Sequence, residues 1–328
     1  MIKVADADKL KGDFSVYFNG EYVVLSGTKL FILRPDGSLV ARRDDLHRSQ
    51  KITFFPQNRV LLCTGKAVFH MIDLRDGSDI WSAPYIRNNL NRNNLAVSPD
   101  GEYAYTFDEN RYGKFIARLH LNSPGHEVDA QEMQGDIGAT CDIACDEDGV
   151  PCLLKTLTET VGGKRLNQCG VRMHDYDGIA PGSTTTWKTK WSFEQGRTAE
   201  FFFDGTDRVI TGNCYIYEPA TGKLTDLLEK EESWERSGTG LLACWKDVSG
   251  RYLCLGYDNR NVIIDLQERK IAAQYASSWE RGCLIGDEYW LCVDKKILRK
   301  PFPAFEELPP RKKVIGMDWY YAQHPERW

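Results

Sequence analysis

Two copies of one tetrapeptide are the residues of this chain best suited to recognition chemistry. Ser-Trp-Glu-Arg occurs at 233–236 and again at 278–281, and looser combinations of Trp or His with Arg occur earlier. The guanidinium of arginine is a planar fork that pairs with a carboxylate or a phosphate through two parallel hydrogen bonds. Tryptophan supplies a flat anchor, and both residue types are frequent binding hot spots. The combination indicates binding of an acidic protein segment, phosphorylated or not.

Both copies directly precede an apolar, strand-forming segment, as do the looser combinations. If such connections lie on one face of a closed ring of units, their side chains form a rim. The predicted partner-binding residues of this rim are Arg48, Arg92, Arg197, Trp234, Arg236, Trp279 and Arg281. In the alternative interpretation, the tryptophans wedge between units while Glu235 and Glu280 pair with the arginines. The two interpretations are compatible, since each can be true in part.

Other reactive residue types form no recognisable catalytic or metal motif. The six histidines belong to no Ser-His-Asp set, and the ten cysteines include no C-x-x-C pair. Residues 161–165 lack the spacing of a phosphate-binding loop, and the acidic cluster at 142–148 lacks that of a calcium loop. We therefore predict reduced structural cysteines, no catalytic residue, no metal site and no cofactor.

The elements that must position the rim are repeated hairpins. Residue pairs that tolerate the positive φ of a tight turn recur at intervals of 36 to 56 residues. These turns are Asn19-Gly20, Gln57-Asn58, Asp100-Gly101, Asp148-Gly149, Asp204-Gly205, Ser249-Gly250 and Gly286-Asp287. The flanking segments are short, almost continuous apolar runs, which indicates strands buried on both faces. Helical periodicity is nearly absent.

Four segments resemble known repeats. Residues 96–103 resemble the first hairpin of WD40 and YVTN-type blades, and residues 256–266 resemble a later WD40 hairpin. Residues 72–81 and 217–223 resemble the outer hairpin of quinoprotein-like blades. No unit carries the Trp-Asp ending or the Gly-His start of WD40 repeats, so the resemblance stops at the superfamily.

This resemblance implies an all-β protein, a seven-bladed β-propeller of four-stranded antiparallel blades. Six or eight blades are the alternatives. The propeller is expected to be a single domain over residues 1–328, with an aromatic C-terminal tail at about 308–328. Residues 2–4 or 314–317 are candidates for the outer strand that closes the last blade.

Composition narrows the class of partner. The net charge of −5 and the pI near 5.8 argue against general binding of nucleic acid. No signal-peptide core and no run of 18 apolar residues occurs, so we expect a cytoplasmic protein without membrane contact.

The expected function is that of a non-catalytic interaction module, a scaffold whose partner is another protein. One alternative is a propeller hydrolase or lactonase with a metal in its channel, for which Asp142 is the clearest acid on a first strand. Another is an inhibitor or immunity protein for one specific enzyme or toxin. A quinone-cofactor dehydrogenase is disfavoured.

Overall fold

The chain folds into short antiparallel strands. The computed structural model describes residues 7, 10–46, 52–64, 68–84, 95–110, 113–133, 139–161, 164–174, 184–185, 187–194, 201–204, 207–211, 214–228, 241–257, 260–276 and 281–307. These ranges contain no α-helix, so the predicted all-β class is confirmed. No helix in them is long and apolar enough to cross a membrane.

We number the sheets in chain order. Sheets 1 and 2 and the first four strands of sheet 3 are antiparallel and hydrogen-bonded in sequence order. Sheet 1 contains β1 (Phe14–Phe18), β2 (Val23–Gly27), β3 (Leu30–Leu33) and β4 (Leu39–Arg43). Sheet 2 contains β5 (Ile52–Phe55), β6 (Arg59–Cys63), β7 (Val68–Asp73) and β8 (Asp79–Pro84). Sheet 3 contains β9 (Leu95–Val97), β10 (Tyr103–Asn110), β11 (Gly113–His120) and β12 (Val128–Met133).

Sheet 4 departs from strict sequence order at one point. Its strands are β13 (Ala139–Cys145), β14 (Pro151–Val161), β15 (Lys164–His174) and β17 (Trp187–Glu194). The intervening β16 (Thr184–Thr185) pairs in parallel with β12, so it adds a fifth strand to the outer edge of sheet 3.

The second half of the chain repeats the pattern and ends with a shorter sheet. Sheet 5 contains β18 (Phe201–Phe203), β19 (Val209–Thr211), β20 (Tyr215–Glu218) and β21 (Lys223–Asp226). Sheet 6 contains β22 (Leu241–Lys246), β23 (Tyr252–Tyr257), β24 (Arg260–Asp265) and β25 (Lys270–Ala276). Sheet 7 contains β26 (Cys283–Ile285), β27 (Glu288–Val293) and β28 (Lys296–Pro301).

The predicted turns follow from local chemistry. Gly250 has a φ of 74°, in the left-handed region that favours glycine, and Asn58 has a φ of 57°. In the same turn as Gly250, the carboxylate of Asp247 accepts the backbone N–H groups of Ser249 at 3.1 Å and Tyr252 at 2.8 Å. These bonds satisfy amides that the tight turn leaves without a strand partner. The hairpins predicted at Gln57-Asn58 and Ser249-Gly250 are confirmed.

Burial follows the order of strands within each sheet. All four residues of β3 and all six residues of β24 are buried, whereas β4 and β8, the last strands of their sheets, are mostly exposed or half-buried. The first strands of neighbouring sheets contact one another, for example β9 with β13 and β18 with β22. First strands therefore surround the centre of the molecule and last strands form its periphery.

Apolar side chains join successive sheets face to face. One core cluster joins sheets 1 and 2, and others join sheets 2 and 3, 3 and 4, 5 and 6, and 6 and 7. A further cluster joins sheet 7 back to sheet 1 and includes Phe14, Leu25 and Trp290. Strands β13 and β14 of sheet 4 contact β18 of sheet 5, so the seven sheets form a closed ring.

The closure of the ring is incomplete at the outer strand. Lys11 forms an isolated antiparallel bridge with Lys296, but sheet 7 has three strands within the described residues. The two predicted closing segments, 2–4 and 314–317, lie outside those residues, as does the tail at 308–328. Phe305 bridges in parallel to Gln274, so the chain after sheet 7 returns along the outer edge of sheet 6.

Candidate functional site

The predicted rim is described at one position. Arg281 lies within the described residues, just before β26. The other six predicted rim residues lie outside them: Arg48, Arg92, Arg197, Trp234, Arg236 and Trp279. The rim as a whole therefore stays a prediction, and its chemistry is seen at Arg281.

The backbone at Arg281 is fixed by the neighbouring sheet and by the next residue. The carbonyl oxygen of Arg281 accepts the N–H of Val16 on β1 at 2.8 Å. Gly282 packs against Tyr289 so closely that a Cβ at this position would lie 2.5 Å from the tyrosine hydroxyl. A larger residue at position 282 would displace either the chain or the ring.

The side chain of Arg281 lies over two aromatic rings from two other sheets. Its Cζ is 4.4 Å from the ring centroid of Tyr17 on β1 and 4.8 Å from that of Trp245 on β22. The two aromatic residues are only 4% and 6% exposed, whereas Arg281 is half-buried. We call these three residues, from sheets 1, 6 and 7, the Arg281 junction. Contacts of a cation with ring faces are worth about 0.5–2 kcal/mol each.

No protein acceptor binds the guanidinium of Arg281 within the part of the chain that the structure describes. Its Nε is buried and has no hydrogen-bond partner, and neither does the indole Nε1 of Trp245. Arg281 pairs with no carboxylate in that part of the chain, whereas the following arginines do: Arg34, Arg42, Arg43, Arg75, Arg118, Arg208, Arg251 and Arg299. Glu235 and Glu280, the glutamates of the alternative interpretation, lie outside the described residues, so their pairing with the rim arginines stays a prediction.

The thiols and phenols around the junction are neutral at physiological pH, and the carboxylate of Asp247 is close enough to act on the same thiols. Burial raises the pKa of the Cys283 thiol to about 11 and the pKa values of Cys254 and Tyr289 well above their ordinary range. Tyr289 stacks on Tyr275, with ring centroids 4.6 Å apart. The guanidinium is thus a positive charge in apolar, aromatic surroundings.

The cysteines whose side chains the structure describes are free thiols, and two of the histidines pair with aspartates. These cysteines are Cys145, Cys152, Cys214, Cys244, Cys254, Cys283 and Cys292. His70 lies 3.1 Å from Asp79, and His120 lies 2.7 Å from Asp129. Within the described residues, no group of three or more His, Cys, Asp or Glu could hold a metal ion.

Asp142, the acid singled out for channel chemistry, is engaged by the backbone. One carboxylate oxygen accepts the N–H of Ile143 at 3.0 Å, and the other accepts the N–H of Phe203 at 3.0 Å. Phe203 belongs to sheet 5, so this side chain joins sheet 4 to its neighbour. Asp204, which follows Phe203, pairs with Arg208 and with Lys246 of sheet 6.

Sequence reasoning identified Arg281 but missed Tyr17 and Trp245. Both lie on first strands, where an aromatic residue is expected to be ordinary core. The sequence around each ring does not show that a cation from a different sheet contacts it. The one clue in the sequence was the position of Arg281 directly before a first strand, because that position points a side chain toward the centre of the ring.

Solved structures with low sequence identity match nearly the whole chain. Hydrazine synthase of Kuenenia stuttgartiensis matches with 13% identity and a TM-score of 0.59, over 92% of this chain and 98% of that chain. The Cps50 (Swd1) β-propeller domain of Myceliophteria thermophila matches with 10% identity and a TM-score of 0.58, over 89% and 98%. The chain is a β-propeller. A chain of the mitotic checkpoint complex matches with 12% identity and a TM-score of 0.57, over 92% and 93%.

The propeller has four-stranded antiparallel blades, and the resemblance to WD40-type propellers is confirmed at the level of the fold. No protein-family model and no curated protein matches the sequence. Because all three identities are below 25%, these matches establish the fold alone. The function has to be inferred from the candidate site.

Proposed function

We propose that this propeller is a non-catalytic interaction module, which binds an acidic segment of another protein on the rim formed by the connections between its blades. The Arg281 junction supports this proposal. A half-buried guanidinium is held over two aromatic rings and has no protein acceptor in the described chain. An unpaired fork beside aromatic side chains is a typical binding hot spot.

The rigidity of the ring supports the same function. Tyr17, Trp245 and Arg281 are contributed by blades that pack through buried clusters, so their positions are set before a partner arrives. A preorganised site loses little conformational entropy on binding. One of the matched structures, the mitotic checkpoint complex, is itself a protein assembly.

The fold alone does not decide between binding and catalysis, since one matched chain comes from a hydrazine synthase. The hydrolase alternative requires acids that are free to bind a metal or a substrate. Each oxygen of Asp142 already accepts one backbone N–H group, so part of its acceptor capacity is used within the fold. The inhibitor or immunity-protein alternative differs from a scaffold only in its partner.

Affinity capture from a lysate of the native host tests the proposal. The wild-type chain, Arg281→Ala and Arg75→Ala are compared, and bound proteins are identified by mass spectrometry. Arg75 is the matched control, because it is an arginine on an exposed turn that pairs with Asp73. We expect at least one protein to be captured by the wild type and by Arg75→Ala and to be lost from Arg281→Ala.

Equal capture by all three proteins would show that Arg281 is not part of the binding site. Capture of nothing by the wild type, together with turnover in hydrolase assays, would overturn the interaction proposal in favour of the enzyme. The identity of a captured protein separates a scaffold from an inhibitor, since an inhibited enzyme or toxin loses its activity in the complex.

We also propose that sheet 7 is the seventh blade and that residues 2–4 or 314–317 complete it. The cluster that joins this sheet to sheet 1 supports the count. Hydrogen exchange tests the strand, because only the segment that pairs with β28 acquires protected amides. Protection in neither segment would contradict this closure.

A cytoplasmic location is proposed on separate grounds. Seven free thiols in one chain are typical of a reducing compartment. Fractionation of the native host tests this, and recovery of the protein outside the cytoplasm contradicts it.

A further inference from the structure

We infer that the Arg281 junction is a binding site for a single carboxylate group, supplied by an aspartate or glutamate side chain of the partner. This inference rests on the proposed function and specifies the chemistry of its central contact.

The first argument is the set of unused donors. Arginine has five N–H donors, and none of those of Arg281 has a protein acceptor in the described chain. Its Nε is buried without a partner, and the residue as a whole is only half-buried, so part of the side chain remains accessible. A carboxylate from outside would accept from the two Nη groups in parallel.

The second argument is charge balance. The thiols of Cys254 and Cys283 and the phenol of Tyr289 remain neutral, so they do not offset the guanidinium charge. Asp204 and Asp247 are close enough to act on neighbouring thiols, but Asp204 pairs with Lys246 and Arg208. Asp247 accepts the backbone N–H groups of Ser249 and Tyr252, so neither carboxylate binds Arg281 directly. One carboxylate carries one negative charge and neutralises the site, whereas a phosphate dianion leaves an excess negative charge in apolar surroundings.

The third argument is the orientation of the fork. The rings of Tyr17 and Trp245 hold Cζ within 4.4 Å and 4.8 Å of their centroids, so the side chain is fixed without a carboxylate of its own. The same rings exclude water from one side of the guanidinium. An ion pair in partly dehydrated surroundings is stronger than one on an open surface. The site is therefore arranged for an anion that arrives from outside the chain.

A titration of the full-length, isotopically labelled protein followed by NMR tests this inference. The probe is N-acetylglutamate α-amide, which has one carboxylate, and its uncharged control is the corresponding glutamine derivative. The reporters are the Nε–H signal of Arg281, identified by its loss in Arg281→Lys, and the indole N–H signal of Trp245, identified by its loss in Trp245→Phe. N-acetylphosphoserine amide tests the phosphate alternative.

We expect both signals to move saturably with the glutamate probe, with a dissociation constant on the order of millimolar, as befits one contact. The glutamine derivative should move neither signal. Arg281→Lys keeps the charge but loses the fork, so the glutamate probe should bind about tenfold more weakly. Arg75→Lys, a matched change at a paired arginine, should bind the probe as the wild type does.

Three results would overturn the inference: no movement of either signal, equal binding of the glutamine derivative, or tighter binding of the phosphoserine probe. These failures are distinct from failure of the proposed function. If Arg281→Ala loses a captured partner while the glutamate probe does not bind, the interaction function stands and the carboxylate assignment falls. If the probe binds but no captured partner depends on Arg281, the carboxylate site stands and the proposed function falls.

Discussion

Two arginines of this propeller connect neighbouring blades, and they are satisfied in different ways. Arg43 on β4 pairs with Asp45 at 2.7 Å and reaches Asp79 on β8 at 3.0 Å, while it also donates to the carbonyl oxygen of Gly77 at 2.9 Å. Arg281 also spans blades, but it contacts rings and has no protein acceptor in the described chain. Arg43 uses its donors within the fold, whereas the donors of Arg281 remain available to another molecule.

The comparison separates stability from recognition. Hydrogen bonds to Asp45 and Asp79 raise the pKa of Arg43, and Arg43 lowers the pKa of Asp45 to about 2. Such mutual stabilisation is a property of the folded chain alone. The aromatic rings around Arg281 stabilise its position without consuming its hydrogen-bonding capacity. Substitutions at the two sites should therefore differ in which property they change.

The largest expected effect is the loss of stability when one of the two aromatic rings of the Arg281 junction is removed. Trp245→Ala removes a buried ring that packs with Cys254, Tyr289 and Leu291, and it should lower the free energy of unfolding by about 3–5 kcal/mol. Denaturant unfolding measures this loss. Trp245→Phe keeps most of the packing and should cost clearly less. A loss below about 1 kcal/mol in Trp245→Ala would show that the Trp245 ring is not tightly packed in the core.

The second effect separates the two arginines directly. Arg43→Ala removes a donor from the Gly77 carbonyl and from Asp79, which keeps His70 as a partner, so it should lower the free energy of unfolding by about 1 kcal/mol and leave partner capture unchanged. Arg281→Ala loses ring contacts but also removes a buried unpaired N–H, so its net cost should be smaller. Denaturant unfolding and capture are measured for both variants. The reverse order of stability losses would contradict the comparison.

Lowering the pH should reduce the contribution of Arg43 to stability and leave that of Arg281 unchanged. The pKa of Asp45 is lowered from 3.8 to about 2 in the folded chain, so its contribution to stability is present above about pH 4 and is lost as the pH falls toward 2. The stability difference between the wild type and Arg43→Ala should therefore shrink over this interval. The difference between the wild type and Arg281→Ala should stay constant, because no carboxylate pairs with Arg281 in the described chain. Denaturant unfolding at both ends of the interval measures the two differences.

The smallest effect compares two stacked tyrosines beside the junction. The hydroxyl of Tyr275 donates to the carbonyl oxygen of Pro301 at 2.8 Å, whereas the buried hydroxyl of Tyr289 has no partner among the residues that the structure describes. Tyr275→Phe should destabilise the fold by about 1 kcal/mol, while Tyr289→Phe should be neutral or stabilising by up to about 1 kcal/mol. Unfolding curves of both variants test the difference in sign. Equal destabilisation would indicate that Tyr289 has an acceptor.

The sequence predicted those parts of the fold that depend on neighbouring residues. Ser249 and Gly250 form a turn because a left-handed glycine and an acidic cap lie within a few residues of one another. The apolar runs at 22–25 and 289–292 predicted burial on both faces, and the burial of every residue in them confirms it. These features are local, so one stretch of sequence contains their cause.

The features that the sequence did not predict involve distant segments. Trp245 and Tyr17 meet Arg281 only after three blades have packed, and β16 pairs with β12 of an earlier blade. The strand β16 contains only two residues, which is too short for an alternating sequence pattern to be recognised. Arg281 was found because its position in the repeat is local information, whereas the rings it contacts were not.

The hydrogen bond between Val16 and Arg281 also constrains how the protein is made. Its donor lies in sheet 1 and its acceptor lies directly before sheet 7, and the cluster that unites these two sheets has the same separation in sequence. During translation, the face of sheet 1 that packs on sheet 7 must therefore remain exposed until sheet 7 has been synthesised. For that period Phe14, Leu25 and their neighbours are open to chaperones and to aggregation, and the last sheet to be synthesised ends that exposure.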